Sequence, residues 1–177
     1  DFSGQDHAIA IDTLSGGVTL SLVDITADDA TIGNVEVFLM SSLGDVFRGA
    51  LGTSESVYMN AGNDSVIANG STTNPDYYDG GVGIDTINMS ASGGNLFIDM
   101  PNGVTSVVSG ATGTASDAIV NFEYIIGGSG NDTVIGTTGN DTLVMGTGND
   151  SYAPGLGNDT IYENPGEGMD TLDYSAV

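Results

Sequence analysis

From Gly127 onward, single apolar residues return every nine positions, at Val134, Leu143, Tyr152 and Ile161, each directly after a Thr or Ser. Six residues rich in glycine and polar side chains precede each of these short stretches. The blocks run without gaps as Gly127–Ile135, Gly136–Val144, Met145–Ala153 and Pro154–Tyr162. A fifth block, Pro165–Asp173, follows the two-residue insertion Glu163-Asn164. Neighbouring side chains of a strand point to opposite faces, so the apolar centre of each x-U-x triplet faces inward and its Thr or Ser outward. Glycines supply the tight backbone of the intervening turns. The pattern predicts turn, short strand, turn, short strand. This is an all-β parallel solenoid (β-roll or β-helix) with about two blocks per coil, strands stacked about 4.8 Å apart and an apolar ladder inside. No segment has the 3.6-residue periodicity of an amphipathic helix.

The same frame recurs upstream. Gly80–Asn88 is a full block and Ala61–Ile67 a partial one, while Asp45, Glu55 and Asp76 stand in degraded copies. A longer period overlies the short one: Ile32–Leu39 returns as Ile119–Ile126, 87 residues later. Asp1-Phe2-Ser3, Asn88-Met89-Ser90 and Asp173-Tyr174-Ser175 also correspond. Residues 1–87 are read as a first long unit with degenerate blocks and 88–172 as a second, with regular blocks at 127–173. Residues 173–177 start a third, all in one continuous solenoid. Between the nine-residue tracts, Val18–Val23, Ile32–Met40, Asn95–Asp99, Val104–Val108 and Ile119–Ile126 read as further strands. At about 18 residues per coil the chain predicts roughly ten coils.

Composition sharpens the picture. The chain has 177 residues, 24 Asp plus Glu, one Lys plus Arg (Arg48) and a net charge of −23. Nucleic-acid binding and docking on anionic lipid both need clustered cations and are excluded on that ground. No apolar run is long enough to span a bilayer, so no membrane insertion is expected. The absence of cysteine rules out disulfides, cysteine zinc sites and thiol catalysis. His7 has no catalytic motif around it, and Asp28-Asp29 reads as a turn.

The acids are phased. Asp132, Asp141, Asp150, Asp159 and Asp170 close the turns of successive blocks, and blocks n and n+2 stack on the same side. Asp132, Asp150 and Asp170 therefore line one edge, with Asp141 and Asp159 on the other. Carboxylates about 5–7 Å apart repel by about 2–3 kcal/mol per pair at an effective dielectric of 20. A hard cation taking six to eight oxygens in a flexible shell turns those like charges into ligands, and Ca²⁺ fits this better than Mg²⁺. Thr138, Asn140, Thr147 and Asn149 occupy turn positions expected to face solvent.

The nonapeptide G-G-x-G-x-D-x-U-x, seen in Gly127–Ile135, resembles the RTX (repeats-in-toxin) calcium-binding motif. The resemblance implies a β-roll that folds with several Ca²⁺ ions, in bacterial proteins exported by type I secretion. It also implies ligands at block positions 2, 4 and 6. These are Gly128, Gly130 and Asp132; Thr137, Gly139 and Asp141; Gly146, Gly148 and Asp150; Gly155, Gly157 and Asp159; and Gly166, Gly168 and Asp170. Upstream the set continues with Gly81, Gly83 and Asp85, and with Asp64. The expected role is a non-catalytic, Ca²⁺-rigidified structural module of a secreted surface protein such as an adhesin, filament or surface layer. Its expected partners are neighbouring solenoid units, including end-to-end copies of itself. The alternative is the accessory C-terminal segment of a secreted protease, lipase or polysaccharide-modifying enzyme.

Overall fold

Glycine turns separated by apolar-centred triplets become strands of three residues. In the computed structural model the described residues are 19–21, 37–40, 42–49, 54–68, 75–101, 104–108, 116–163 and 168–175. His7, Asp28-Asp29 and Gly166 lie outside them, as do half of Val18–Val23 and most of Ile32–Met40.

The strands are β1 (Thr19–Ser21), β2 (Val37–Leu39), β3 (Val46–Arg48), β4 (Ser56–Tyr58), β5 (Ser65–Ile67), β6 (Tyr77–Asp79), β7 (Thr86–Asn88) and β8 (Asn95–Asp99). They continue as β9 (Val104–Val108), β10 (Ser116–Val120), β11 (Tyr124–Ile126), β12 (Thr133–Ile135), β13 (Thr142–Val144), β14 (Ser151–Ala153), β15 (Thr160–Tyr162) and β16 (Thr171–Leu172). They form two sheets. Sheet A has the order β1-β3-β5-β7-β11-β13-β15, and sheet B the order β16-β14-β12-β8-β9-β10-β6-β4-β2. In the regular tracts the chain alternates between sheets, so blocks two apart pair in parallel, as in Thr133↔Ser151 and Thr142↔Thr160. The expected solenoid with two blocks per coil is present.

Two features depart from the simple spiral. Sheet A passes directly from β7 to β11, but sheet B places β10, β9 and β8 between β6 and β12. Within that insert β8–β9 and β9–β10 are antiparallel, so the fold is not purely parallel. The insert also shortens the rod. Residues 95–120 add strands to one sheet only, and sheet A stacks seven strands among the described residues, not the expected ten coils. At about 4.8 Å per step those seven strands span roughly 29 Å.

The core is the predicted ladder. Phe47, Val57, Val66, Tyr78, Ile87, Ile98, Ile125, Val134, Leu143 and Tyr152 sit at strand centres and are buried. A second inward position lies two residues further on, at Met59, Ala68, Met89 and Met145. This accounts for methionine where the nonapeptide expects glycine at Met145: block position 1 faces the core. Apolar burial along both ladders is the main favourable term. Cα pairing also shows that the long units differ by half a turn. Strands β2 and β3, in sheets B and A, correspond in sequence to β11 and β12, in sheets A and B.

Candidate metal centre

Most of the three-residue strands are entered through an acidic residue, β10 carries Asp117 at its second position, and the stacked coils bring these acids into two columns. Along the turns leading into sheet A stand Asp45, Asp64, Asp85, Glu123, Asp141 and Asp159. Along those leading into sheet B stand Glu55, Asp76 and Asp117 and, beyond the antiparallel insert, Asp132, Asp150 and Asp170. The division of the C-terminal aspartates between two edges is as the spacing predicted. Asp45, Glu55, Asp64, Asp76, Asp85, Asp117, Asp132, Asp141 and Asp150 are all buried, Asp159 is half-buried and Asp170 exposed at the open end.

Backbone amides hold the columns together. Asp45 N–H donates to Asp64 Oδ1 at 2.7 Å, Asp64 N–H to Asp85 Oδ1 at 2.8 Å, and Asp85 N–H to Glu123 Oε2 at 2.9 Å. Asp141 N–H reaches Asp159 Oδ1 at 3.0 Å. On the other edge Glu55 N–H donates to Asp76 Oδ1 and Asp76 N–H to Asp117 Oδ1. Leu96, Asp132 and Asp150 N–H donate to Asp132, Asp150 and Asp170 Oδ1 in turn. In these pairs one carboxylate oxygen of the later acid receives the amide of the coil before it, whereas Asp141 accepts from Thr137 of its own turn.

The second oxygen is the informative one. Asp64 Oδ2 and Asp85 Oδ2 are buried and accept no hydrogen bond. A buried carboxylate oxygen left this way costs free energy unless a cation takes it. Asp132 and Asp141 differ, since Oδ2 accepts the Gly128 amide at 2.9 Å and the Thr137 amide at 2.7 Å. Thr137 Oγ1 also donates to Asp141, tying that turn closed by a side chain.

Backbone carbonyls complete the arrangement. A Cβ on Gly146 would lie 2.0 Å from Gly128 O, on Gly148 2.0 Å from Gly130 O, and on Gly155 or Gly157 2.0 Å from Thr137 O or Gly139 O. A Cβ on Gly81 or Gly83 would meet Asn60 O or Gly62 O, and one on Gly168 would meet Gly148 O. The glycines therefore let each turn pack directly on the carbonyls of the preceding coil, of which Asn60 O, Gly128 O and Thr137 O accept its amides. Backbone carbonyls and carboxylate oxygens repeated along one edge are the hard-oxygen donor set of a calcium shell. The residues present fit the ion.

Electrostatics agree with the geometry. Burial pushes Asp85 and Asp117 up to about 6 from the usual carboxylate value, helped by neighbouring acids. Burial likewise raises Asp64, Asp132 and Asp141. These carboxylates sit in surroundings that disfavour their charge in the absence of a cation.

The structure adds acids that the motif did not supply. Asp117 and Glu123 begin the segments Asp117-Ala-Ile-Val and Glu123-Tyr-Ile-Ile, which keep D/E-x-U-x but, apart from Gly113, lack the motif glycines. That half-motif was the signal available. Glu163 had none: it lies in the insertion after β15, yet its carboxylate gathers with those of Asp150 and Asp170 within 4.8 Å.

Stacked glycine–aspartate turns on a two-sheet coil define a nonapeptide-repeat, RTX-type β-solenoid. The chain belongs to the family described as Peptidase M10 serralysin C terminal, whose sequence model matches residues 52–177. No curated protein matches it. RTX repeats of this family bind calcium, and domains of this type are calcium-binding modules of secreted, extracellular proteins.

Proposed function

We propose that the chain is a non-catalytic, Ca²⁺-rigidified structural module of a secreted surface protein, of the adhesin, filament or surface-layer kind. The observation that carries this reading is the acid column beside sheet A, which continues from Asp45 through Asp85 into Glu123 and so crosses from the first long unit into the second. Repetition of this kind lengthens and stiffens a rod but adds nothing to a single active site. The carbonyls of Gly128, Gly130, Gly146 and Gly148, with Asp132 and Asp150, would hold ions on one edge. The carbonyls of Thr137, Gly139, Gly155 and Gly157, with Asp141 and Asp159, would hold them on the other. Gly81, Gly83, Asp85 and Asp64 form the corresponding upstream set, and Gly168 with Asp170 the last.

The ion supplies positive charge between stacked carboxylates. At ten times its Kd each site adds about 1.4 kcal/mol to the folded state by mass action. The test is far-UV circular dichroism of the chain in millimolar Ca²⁺ and after excess EGTA. Loss of the β-spectrum on chelation is expected, and an unchanged spectrum would sink the proposal.

One finding favours a second reading. The matched family is described by a peptidase, which supports a non-catalytic segment of a secreted enzyme. The full-length gene discriminates: a catalytic domain upstream favours the enzyme accessory, and further units of about 87 residues favour the rod.

A further inference from the structure

We propose that the outer face of sheet B carries a cation-binding site formed by Tyr58, Tyr77 and Asp79, which takes the guanidinium of an arginine-bearing segment of a partner protein. The proposal rests on the reading of the chain as a Ca²⁺-folded module and adds the chemistry of a partner to it.

Strand register brings the three side chains together. β4 and β6 pair in parallel, with Ser56 opposite Tyr77 and Tyr58 opposite Asp79. The strand centres Val57 and Tyr78 are buried in the core, so the residues flanking them stand on the other face. Tyr58, Tyr77 and Asp79 are half-buried there. Both strands lie inside the sheet, because β2 flanks β4 and β10 flanks β6.

The coil itself does not require tyrosine at this place. At the first position of the triplet, where β6 has Tyr77, strands β4, β5, β7, β12, β13, β14 and β15 carry Ser or Thr. Tyr77 instead sets its ring against that of Tyr58, with centroids 5.4 Å apart and planes inclined at 44°. Among the described residues neither ring has a second aromatic neighbour, and neither hydroxyl is hydrogen-bonded. Asp79 is oriented beside them. Its Oδ1 accepts the Asn121 side-chain amide at 2.8 Å and the Gly81 N–H at 3.1 Å. Two donors on one oxygen fix the carboxylate in advance and leave Oδ2 for a ligand. Partial burial, then the Asp79 charge and the Tyr58 hydroxyl, push the Tyr77 hydroxyl above the usual phenol range. The rings are therefore neutral at pH 7, with the negative charge beside them on Asp79.

This set selects its ligand by charge and shape. The face of a tyrosine ring attracts a cation, most often arginine. A guanidinium lies flat on such a face while its edge N–H groups donate to a carboxylate, whereas an ammonium is a compact, strongly hydrated point charge. The chain does not fill the site itself, since Arg48, its one Lys or Arg, belongs to β3 of sheet A. A net charge of −23 also draws cationic partners toward the surface.

Aromatic proton–carbon NMR spectra of the chain in millimolar Ca²⁺ at constant ionic strength test this, with circular dichroism on the same samples. The probe is N-acetyl-arginine amide, and its neutral isostere N-acetyl-citrulline amide is the control. The arginine probe should shift the Tyr58 and Tyr77 ring resonances saturably, and the citrulline probe should not. Tyr77→Thr, which restores the residue type of the other triplets, should weaken binding by about threefold or more. Asp79→Asn keeps an acceptor for Asn121 and Gly81 but removes the charge, and should also weaken binding by about threefold or more. Both variants should retain the wild-type spectrum and its Ca²⁺ dependence. Equal shifts from the two probes overturn the site, as does an arginine affinity that the substitutions leave unchanged in folded protein. Shifts caused by maltotriose and not by the arginine probe overturn it as well, in favour of a saccharide platform. A β-spectrum that survives excess EGTA overturns the module reading alone, and the titration of that folded chain still decides the site.

Discussion

The Asn-Asp dipeptide at block positions 5 and 6 fixes the stacking in both directions. Asp side chains accept amides from the coil before, whereas Asn side chains accept amides from the coil after. Asn149 N–H donates to Asn131 Oδ1 at 2.9 Å, Asn158 N–H to Asn140 Oδ1 at 2.8 Å and Met169 N–H to Asn149 Oδ1 at 2.8 Å. Asn140 and Asn149 were legible as solvent-facing turn residues, and they are exposed. Their role as register pins was not legible, because the acceptor and its amide are 18 and 20 residues apart in sequence. Glycine at position 4 gives a sharp contrast at the same scale. Gly148 has φ 144°, and a Cβ there would lie 2.0 Å from Gly130 O. Gly139, at the same block position, would set its Cβ 3.4 Å from Thr137 Oγ1, an ordinary contact. Gly148→Ala should therefore destabilise the Ca²⁺-loaded fold by about 2–4 kcal/mol. Gly139→Ala should cost less than about 1 kcal/mol. Thermal denaturation of the two variants in Ca²⁺ checks the difference.

At the scale of elements, the antiparallel insert β8–β10 and the sequences before β4 and β6, which lack glycine at block positions 2 and 4, set this part of the molecule apart. Glu55 and Asp76 occupy the sheet B column there without those glycines, and Asp117 with Gly113 alone. They have a phenol instead: Tyr78, fully buried, donates its hydroxyl to Asp76 Oδ2 at 2.9 Å, with Glu55 Oε2 at 3.5 Å. Burial and these acids keep the Tyr78 hydroxyl protonated and able to donate. Tyr78→Phe keeps the ring in the core but removes that donor from a buried carboxylate. It should destabilise the chain by about 1–3 kcal/mol, and by similar amounts at saturating and at lower Ca²⁺. Urea denaturation at two Ca²⁺ concentrations measures this. A loss confined to low Ca²⁺ would show that the hydroxyl stands in for the ion. Strands β8 and β9 were visible as apolar runs, whereas Ile119–Ile126, read as one strand, is divided between β10 and β11 at Asn121 with φ 58°, and the antiparallel pairing was not visible. The sequences between them carry no signal that distinguishes a meander within one sheet from crossing to the other.

Over the whole molecule the dominant fact is two columns of buried acids in a chain of net charge −23. Without calcium, Asp85 and Asp117 titrate at about 6, and Asp64, Asp132 and Asp141 are raised for the same reason, burial. An unfolded aspartate titrates near 3.9, so the Ca²⁺-free fold binds more protons than the unfolded chain between that value and about 6. The stabilisation from protonation is complete below about pH 4 and is lost as pH rises through about 6. Metal-stripped protein should accordingly gain β-structure on acidification from pH 7.5 to 5, as followed by circular dichroism. Calcium affinity should fall over the same range, because protons compete for the same oxygens. Isothermal titration at several pH values measures the second effect, and an affinity independent of pH would contradict the buried-ligand geometry.

The sequence by itself determined the coil. Nine-residue phasing, glycine turns and alternating faces are local rules, and together they dictated parallel strands, an inward apolar ladder and acids on two edges. The same rules made Asp132, Asp141, Asp150, Asp159 and Asp64 legible as edge residues. Only the tertiary structure decided that sheet B carries an antiparallel insert, that successive units are offset by half a turn, and that Glu123 and Glu163 join the acids. Those outcomes depend on which strand edge a segment reaches after a long connection. Such contacts are set by stacking across 18 or more residues and leave no mark on any nine-residue window.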